Sequence, residues 1–179
     1  MDFWFGAPPL QARAEWFRKS EAHDALIRQR FGAAVEAALA SRLDAAWAAA
    51  PLAELLLLDQ CTRNIFRDTP RAFAGDSRAL ALAREMTASG ADRRLHPLQR
   101  GFVYLPFEHA EDLAAQQEGL RHFEALAAAD AGSADTLLWA QRHEVIVRRF
   151  GRFPHRNAIL GRSSTAEELE FLQQPGSRF

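Results

Sequence analysis

Residues 52–66 read LAELLLLDQCTRNIF. Apolar side chains lie nearly all round the first turns of this run, the mark of a helix covered by neighbours on several sides. Asp68, Thr69 and Pro70 then interrupt it. A helix of this kind has no reason to form alone. It predicts a chain of helices gathered around a central one.

The composition agrees. Val and Ile together number only eight, while Ala, Leu, Arg and Glu are abundant, so a β-rich architecture lacks its preferred side chains and the fold class is all-α. A chain of 179 residues, 48% hydrophobic and 25% charged, has the size and balance of one domain with a single sizeable core.

Working outward, Val35, Leu39, Leu43 and Trp47 recur every four residues and predict one helix that Pro51 stops. Ahead of it, Ser20 is placed to cap a helix ending near Gly32, and Pro8 and Pro9 to start a short first one. Downstream, Asp76 caps a helix ending at Gly90, and Pro97 opens a short one through LQRGFVYL. Pro106 breaks that helix before EHAEDLAAQQEGLRHFEALAAAD begins. Ser133 or Asp135 starts the next, which runs to Phe150 and Gly151. In STAEELEFL, Thr165 and Glu168 have capping-box spacing, and Pro175 and Gly176 end that last helix. The expectation is seven to nine helices with short links, a single all-helical domain over residues 1–179, packed as antiparallel pairs in a bundle or α-solenoid.

Several function classes are disfavoured. A formal net charge of −1 removes the general attraction to nucleic acid or an anionic membrane, so neither partner is expected. The most apolar stretch, AAWAAAPLAELLLLDQ, is broken by Pro51 and Glu54 and does not read as a membrane span. Cys61 stands alone and MDFWFGAPPL lacks the pattern of a secretion signal, which together fit a reducing cytoplasm. Lys19 is the only lysine, so nearly every permanent cation is an arginine, suited to bidentate grip on carboxylate or phosphate.

Three segments carry candidate chemistry. In the central helix, Asp59 precedes Arg63 by four residues, the favourable order for an ion pair on an otherwise apolar face. In the EHAED segment, Glu108, Glu111 and Asp112 complement a helix start. His109 shares a face with Asp112 and Gln116 there, so that either the carboxylate orients the imidazole as a base or ligand, or the histidine caps the helix beside acids that complement its dipole. His143, on a stripe with Trp139, Ile146 and Phe150, reads as a packed core histidine. In GRFPHRNAILGR, residues 151–162, Gly151 and Pro154 turn the chain while Phe153, Ile159 and Leu160 anchor it. Arg152, Arg156 and Arg162, with His155 and Asn157, either hold an anion or tie helix ends to the acids of EHAED and to Asp59. Phosphate-loop, His-Glu-x-x-His and Gly-x-Ser-x-Gly signatures are missing, and the histidines have no diagnostic metal spacing, so no metal or cofactor is expected. Cys61, beside a run of leucines, reads as inert.

The stretches DFWFG, LLLDQCTRNIFRDTPRAFAGD, YLPFEHAEDLAAQQ and RHEVIVRRFGRFPHRNAILGRSSTAEELEFL resemble the bacterial family catalogued as domain of unknown function 924 over nearly the whole chain. The resemblance implies a tetratricopeptide-like all-helical fold and no established activity. It places the family's polar signature on Asp59, Gln60, Arg63 and Asn64, on His109, Glu111, Asp112 and Gln116, and on Arg152, His155, Arg156 and Asn157. Where the family usually has Phe-Pro, this chain has Cys61 and Thr62, so its central helix is expected to continue unbroken through Arg63.

Three functional readings follow. In the first, these residues line a pocket for a small anionic ligand, phosphate or carboxylate, with His109, Asp112 and His155 as candidates for proton transfer. In the second, a tetratricopeptide-like groove clamps an acidic peptide or protein partner. In the third, the polar residues are structural. The sequence leaves the oligomeric state open.

Overall fold

The rod that contains Asp59 packs against several of the other helices, as its apolar circumference requires. The computed structural model describes residues 1–177; Arg178 and Phe179, the end of the expected domain, lie outside the described residues. The helices are α1 (Asp2–Phe5), α2 (Glu21–Leu39), α3 (Ala45–Ala48), α4 (Pro51–Leu56), α5 (Thr62–Ile65), α6 (Asp76–Ala88), α7 (Pro97–His109), α8 (Leu113–Ala129), α9 (Ala134–Phe150) and α10 (Ala166–Phe171). A π-helical turn, Leu57–Cys61, joins α4 to α5 into one rod over 51–65. With that rod counted once there are nine helices and no strand among the described residues.

Leu55 and Leu58 of the rod, Ile27 and Val35 of α2, Ala79 and Ala83 of α6, Val103 and Phe107 of α7, and Phe123 and Leu126 of α8 are each 0% exposed and form one core. The amino terminus closes it, with Trp4, Phe5 and Trp16 edge-on around Phe102. Helices α7, α8 and α9 are joined by links of three and four residues and fold back on one another. Gly119 of α8 lies so close to α7 that an added Cβ would stand 2.5 Å from Phe107 Cβ. A smaller apolar cluster, Ile146, Val147 and Phe153 with Phe150 and Phe171, pins the loop after α9.

Several boundaries differ from the sequence reading. Helix α2 passes through Gly32 to Leu39, because burying Ile27, Val35 and Ala38 outweighs the roughly 1 kcal/mol helix penalty of one glycine. The four-residue stripe is then split. Ser41, at φ 56°, ends the chain's helical run, and Asp44 caps α3 by accepting from the amides of Ala46 and Trp47. Pro8 and Pro9 start no helix; α1 precedes them. Asp76 is the first residue of α6, with Gly75 at its N-cap. Pro106 lies inside α7, whose Phe102, Val103, Tyr104 and Phe107 are all buried, so core packing holds the helix past the missing hydrogen bond. The central rod does run on through Arg63, and it does so by way of the π turn. The helices expected at Ser133 and Thr165 are present, with Gly151 left-handed at φ 70° after α9 and a Thr165–Glu168 capping box on α10.

Candidate functional site

The π turn presents Asp59, and α7 ends by presenting His109 to it. Asp59 is 0% exposed; its Oδ1 lies 2.7 Å from His109 Nδ1, and its Oδ2 accepts from Gln60 Nε2 at 2.6 Å. Burial alone would raise the Asp59 carboxyl, but His109, Arg63 and the bond from Gln60 outweigh burial and hold it well below the usual carboxylate range. As a carboxylate Asp59 only accepts, so Nδ1 carries the proton and Nε2 carries the lone pair. Burial, and then Arg63, lower the His109 pKa, which keeps the ring neutral at pH 7. Nε2 has no hydrogen-bond partner among the described residues, and the side chain is 14% exposed. This is the arrangement of a general base oriented by a buried carboxylate.

Arg63 divides its charge between Asp59 and Asp76. Its Nη1 lies 3.4 Å from Asp59 Oδ1 and donates to the Asp59 backbone carbonyl at 2.7 Å, while Nη1 and Nη2 grip both oxygens of Asp76 at 2.8 and 3.0 Å. Asp76 reaches Arg63 because Gly75 lies against the π turn, where an added Cβ would meet Leu58 O at 2.2 Å. Asp76 Oδ2 also receives Arg156 Nη1 at 3.4 Å. Arg156 is 6% exposed, lies over Phe73 and Phe153 at 4.6 and 4.5 Å, and its pKa falls to about 10, from burial first and then from Arg63.

Glu108 and His143 complete the cluster, and sequence reasoning assigned a site role to neither. Glu108, in the last turn of α7, is 6% exposed, and burial and then Asp59 push its carboxyl up to about 8, so it is protonated at neutral pH. His143 of α9, which burial lowers to about 3, donates from Nδ1 to Trp139 O at 2.9 Å and lies 3.1 Å from Glu108 Oε1. Its ring stands 6.4 Å from that of His109 and 5.5 Å from that of Phe153, and the His155 ring lies 5.6 Å from that of Phe153. The available signal was apolar context: a carboxyl at 108 inside LPFEH titrates high once the helix continues past Pro106.

The remaining expected site residues are engaged elsewhere. Asp112 does not orient His109; it caps α8, accepting from Ala115 N at 2.7 Å, because the helix break falls at 110–112. Gln116 donates to the Glu108 and Ala110 carbonyls at 2.5 and 2.8 Å and so shapes the end of α7. Asn64 bonds Asp24 at 2.7 Å. Arg152 pairs with Glu168 at 2.7 and 2.9 Å, which Asn157 also touches at 3.2 Å, and Arg162 with Glu111 at 2.5 and 2.8 Å. These contacts fix the loop carrying His155 and Arg156. Cys61 is buried, and burial and Asp59 push its thiol up to about 12, which makes it inert as a nucleophile. Among the described residues no group of His, Cys, Asp and Glu is arranged to hold a metal ion, and no helix is long and apolar enough to cross a membrane.

Two surface hollows lie away from the cluster, one apolar and lined by Phe3, Phe31 and Trp47, the other lined by Arg28, Phe66 and Arg67. The cluster reaches solvent at His109, Arg63 and Asp76, the last two each 20% exposed.

Fold and cluster together define an all-helical protein with a cluster of carboxyls, histidines and arginines beneath its surface. The chain belongs to the family described as bacterial protein of unknown function, DUF924, whose model matches residues 1–176. It is similar to the solved structure of ATU0120, a protein of unknown function from Agrobacterium tumefaciens. That likeness has a TM-score of 0.84 and 42% identity, covering 96% of this chain and 93% of that one. No curated protein matches the chain.

Proposed function

We propose that the chain binds a small anionic molecule at the Asp59–His109 pair and moves a proton through His109 Nε2. The observation that carries this reading is the 2.7 Å contact between a fully buried carboxylate and a neutral, partly exposed imidazole. A structural ion pair has no need of an unbonded Nε2. Beside it, protonated Glu108 and ionised Asp59 are two carboxyls whose pKa values are driven apart, the usual sign of assigned acid and base roles. Arg156, whose Nε is buried and unbonded, supplies donors that favour an anion.

The acidic-peptide groove has less support, since Arg152 and Arg162 are engaged with Glu168 and Glu111. The consecutive packing of α7, α8 and α9 supports the tetratricopeptide-like relation without requiring a peptide ligand. The buried lone thiol and the net charge of −1 support a reducing cytoplasmic setting and no nucleic-acid partner. The purely structural reading is favoured by the internal pairing of Arg63, Arg152 and Arg162.

A thermal-shift screen against phosphate, sulfate and small carboxylates, repeated on Arg156→Met, separates the two. The proposal expects at least one anion to raise the melting temperature of the wild type, with the rise lost in the variant. No rise with any anion, and a variant that simply melts earlier, would leave the structural reading standing.

A further inference from the structure

If the Asp59–His109 pair is an acid–base site, as proposed above, the ligand class follows from Arg156. Arginines in this chain that hold a carboxylate side-on do so through Nε and Nη2: Arg67 grips Asp24 at 2.8 and 2.8 Å, and Arg152 grips Glu168 at 2.7 and 2.9 Å. In Arg156 that same edge is unused. Its one hydrogen bond among the described residues is Nη1 to Asp76 Oδ2 at 3.4 Å, and Nε is buried and unbonded. The rings of Phe73 and Phe153 pack against the guanidinium, so its in-plane N–H groups are what it has left to offer. A planar, bidentate acceptor fits that edge; a buried donor edge without one is costly.

Charge narrows the class further. Arg63 and Arg156 face Asp59 and Asp76, so the permanent charges cancel. Glu108 and His143 are neutral at pH 7, as is His109, and the His155 ring lies 5.6 Å from that of Phe153. An arriving anion therefore leaves the cluster negative unless a proton comes with it. Glu108 already holds its proton, and burial holds His143 down to about 3, so that ring takes none. His109 Nε2 remains, and Asp59 stabilises the imidazolium that results. A phosphate carries roughly between one and two charges at neutral pH, and its dianion asks for more compensation than one imidazole gives.

We infer that the site takes the monoanionic carboxylate of a small molecule, held side-on by the Nε–Nη2 edge of Arg156, and that binding delivers one proton from solvent to His109.

The test follows the His109 Cε1–H resonance of the full chain through a pH titration. Sodium acetate, sodium benzoate and inorganic phosphate are each compared with sodium chloride at equal ionic strength. Acetate or benzoate at saturation raises the His109 midpoint by about one pH unit or more, and phosphate does not. In Arg156→Lys, which keeps the charge and loses the side-on edge, carboxylate affinity falls about tenfold. A shift with phosphate and none with the carboxylates overturns the carboxylate assignment and leaves the anion site in place. No shift with any of the three overturns both. Unchanged carboxylate affinity in Arg156→Lys overturns the role of the edge; if that variant does not fold, the wild-type comparison between carboxylate and phosphate decides.

Discussion

Glu108→Gln tests whether the cluster is polarised as described. In the folded chain Glu108 is 6% exposed, and burial and then Asp59 push its carboxyl up to about 8, whereas unfolded it titrates in the ordinary carboxylate range. Between roughly pH 5 and 8 the folded chain thus binds more protons than the unfolded one. The stability contributed by Glu108 is full at low pH and is lost as pH rises toward 8, at up to about 1.4 kcal/mol per pH unit. Glutamine has nearly the same shape and no charge at any pH, so the variant escapes that loss. His109 and His143, whose folded values are lowered, favour folding as pH rises, but they are present in both proteins and cancel in the difference. Urea unfolding of the two proteins near pH 5.5 and near pH 8 should show the variant gaining about 3 kcal/mol on the wild type across that interval at the linkage limit. Parallel stability curves would mean that Glu108 ionises freely in the fold, and the neutral acid beside Asp59 would be gone with it.

Two further substitutions probe the frame around the pair. Gly75→Ala places a Cβ 2.2 Å from Leu58 O, a backbone atom that cannot turn aside, so α6 must retreat and carry Asp76 away from Arg63. Thermal unfolding should register a loss of about 1–3 kcal/mol or more, and an unchanged midpoint would contradict the close approach. Asp59→Asn retains an acceptor for His109 but loses the charge; the expected cost is about 2–4 kcal/mol near pH 7, read by denaturant midpoint. Because the folded Asp59 value lies below the unfolded one, that cost is present above the ordinary carboxylate pKa and shrinks as the pH falls through it; a cost that grows in acid would refute the assignment.

The sequence made the helices legible wherever one local signal dominated: the apolar circumference of residues 52–58, the Thr165–Glu168 box, the glycine after Phe150. It misplaced boundaries where burial overrode a local breaker, at Gly32 and at Pro106, because the energy of packing Val35 or Phe107 does not appear in residue spacing. The Asp59–Arg63 pair was readable from its four-residue interval. The partner of His109 was not. Its carboxylate lies fifty residues earlier in the chain, and the nearby Asp112 offered a plausible substitute until the helix break at 110–112 made it a cap. Glu108 was passed over because, with α7 ended at Pro106, it counted as one more acid at a helix start.

The placement of Asp76 explains why Asp59 remains available to a histidine at all. A carboxylate four residues before an arginine on one helix normally closes a pair with it, and a closed Asp59–Arg63 pair would leave little negative potential for His109. Here Arg63 is drawn off by a bidentate contact with Asp76 at 2.8 and 3.0 Å, and its distance to Asp59 Oδ1 is 3.4 Å. That diversion depends on α6 starting against the backbone of the π turn, which only the absence of a side chain at Gly75 permits. The π turn in turn sets Asp59 and Gln60 side by side at the point where α7 ends. Helical rods interrupted by such turns are often found where function is carried. In this chain the turn, the glycine and the second acid act together, and each is needed for a buried carboxylate to direct the proton of His109 onto Nδ1 and leave Nε2 to a ligand.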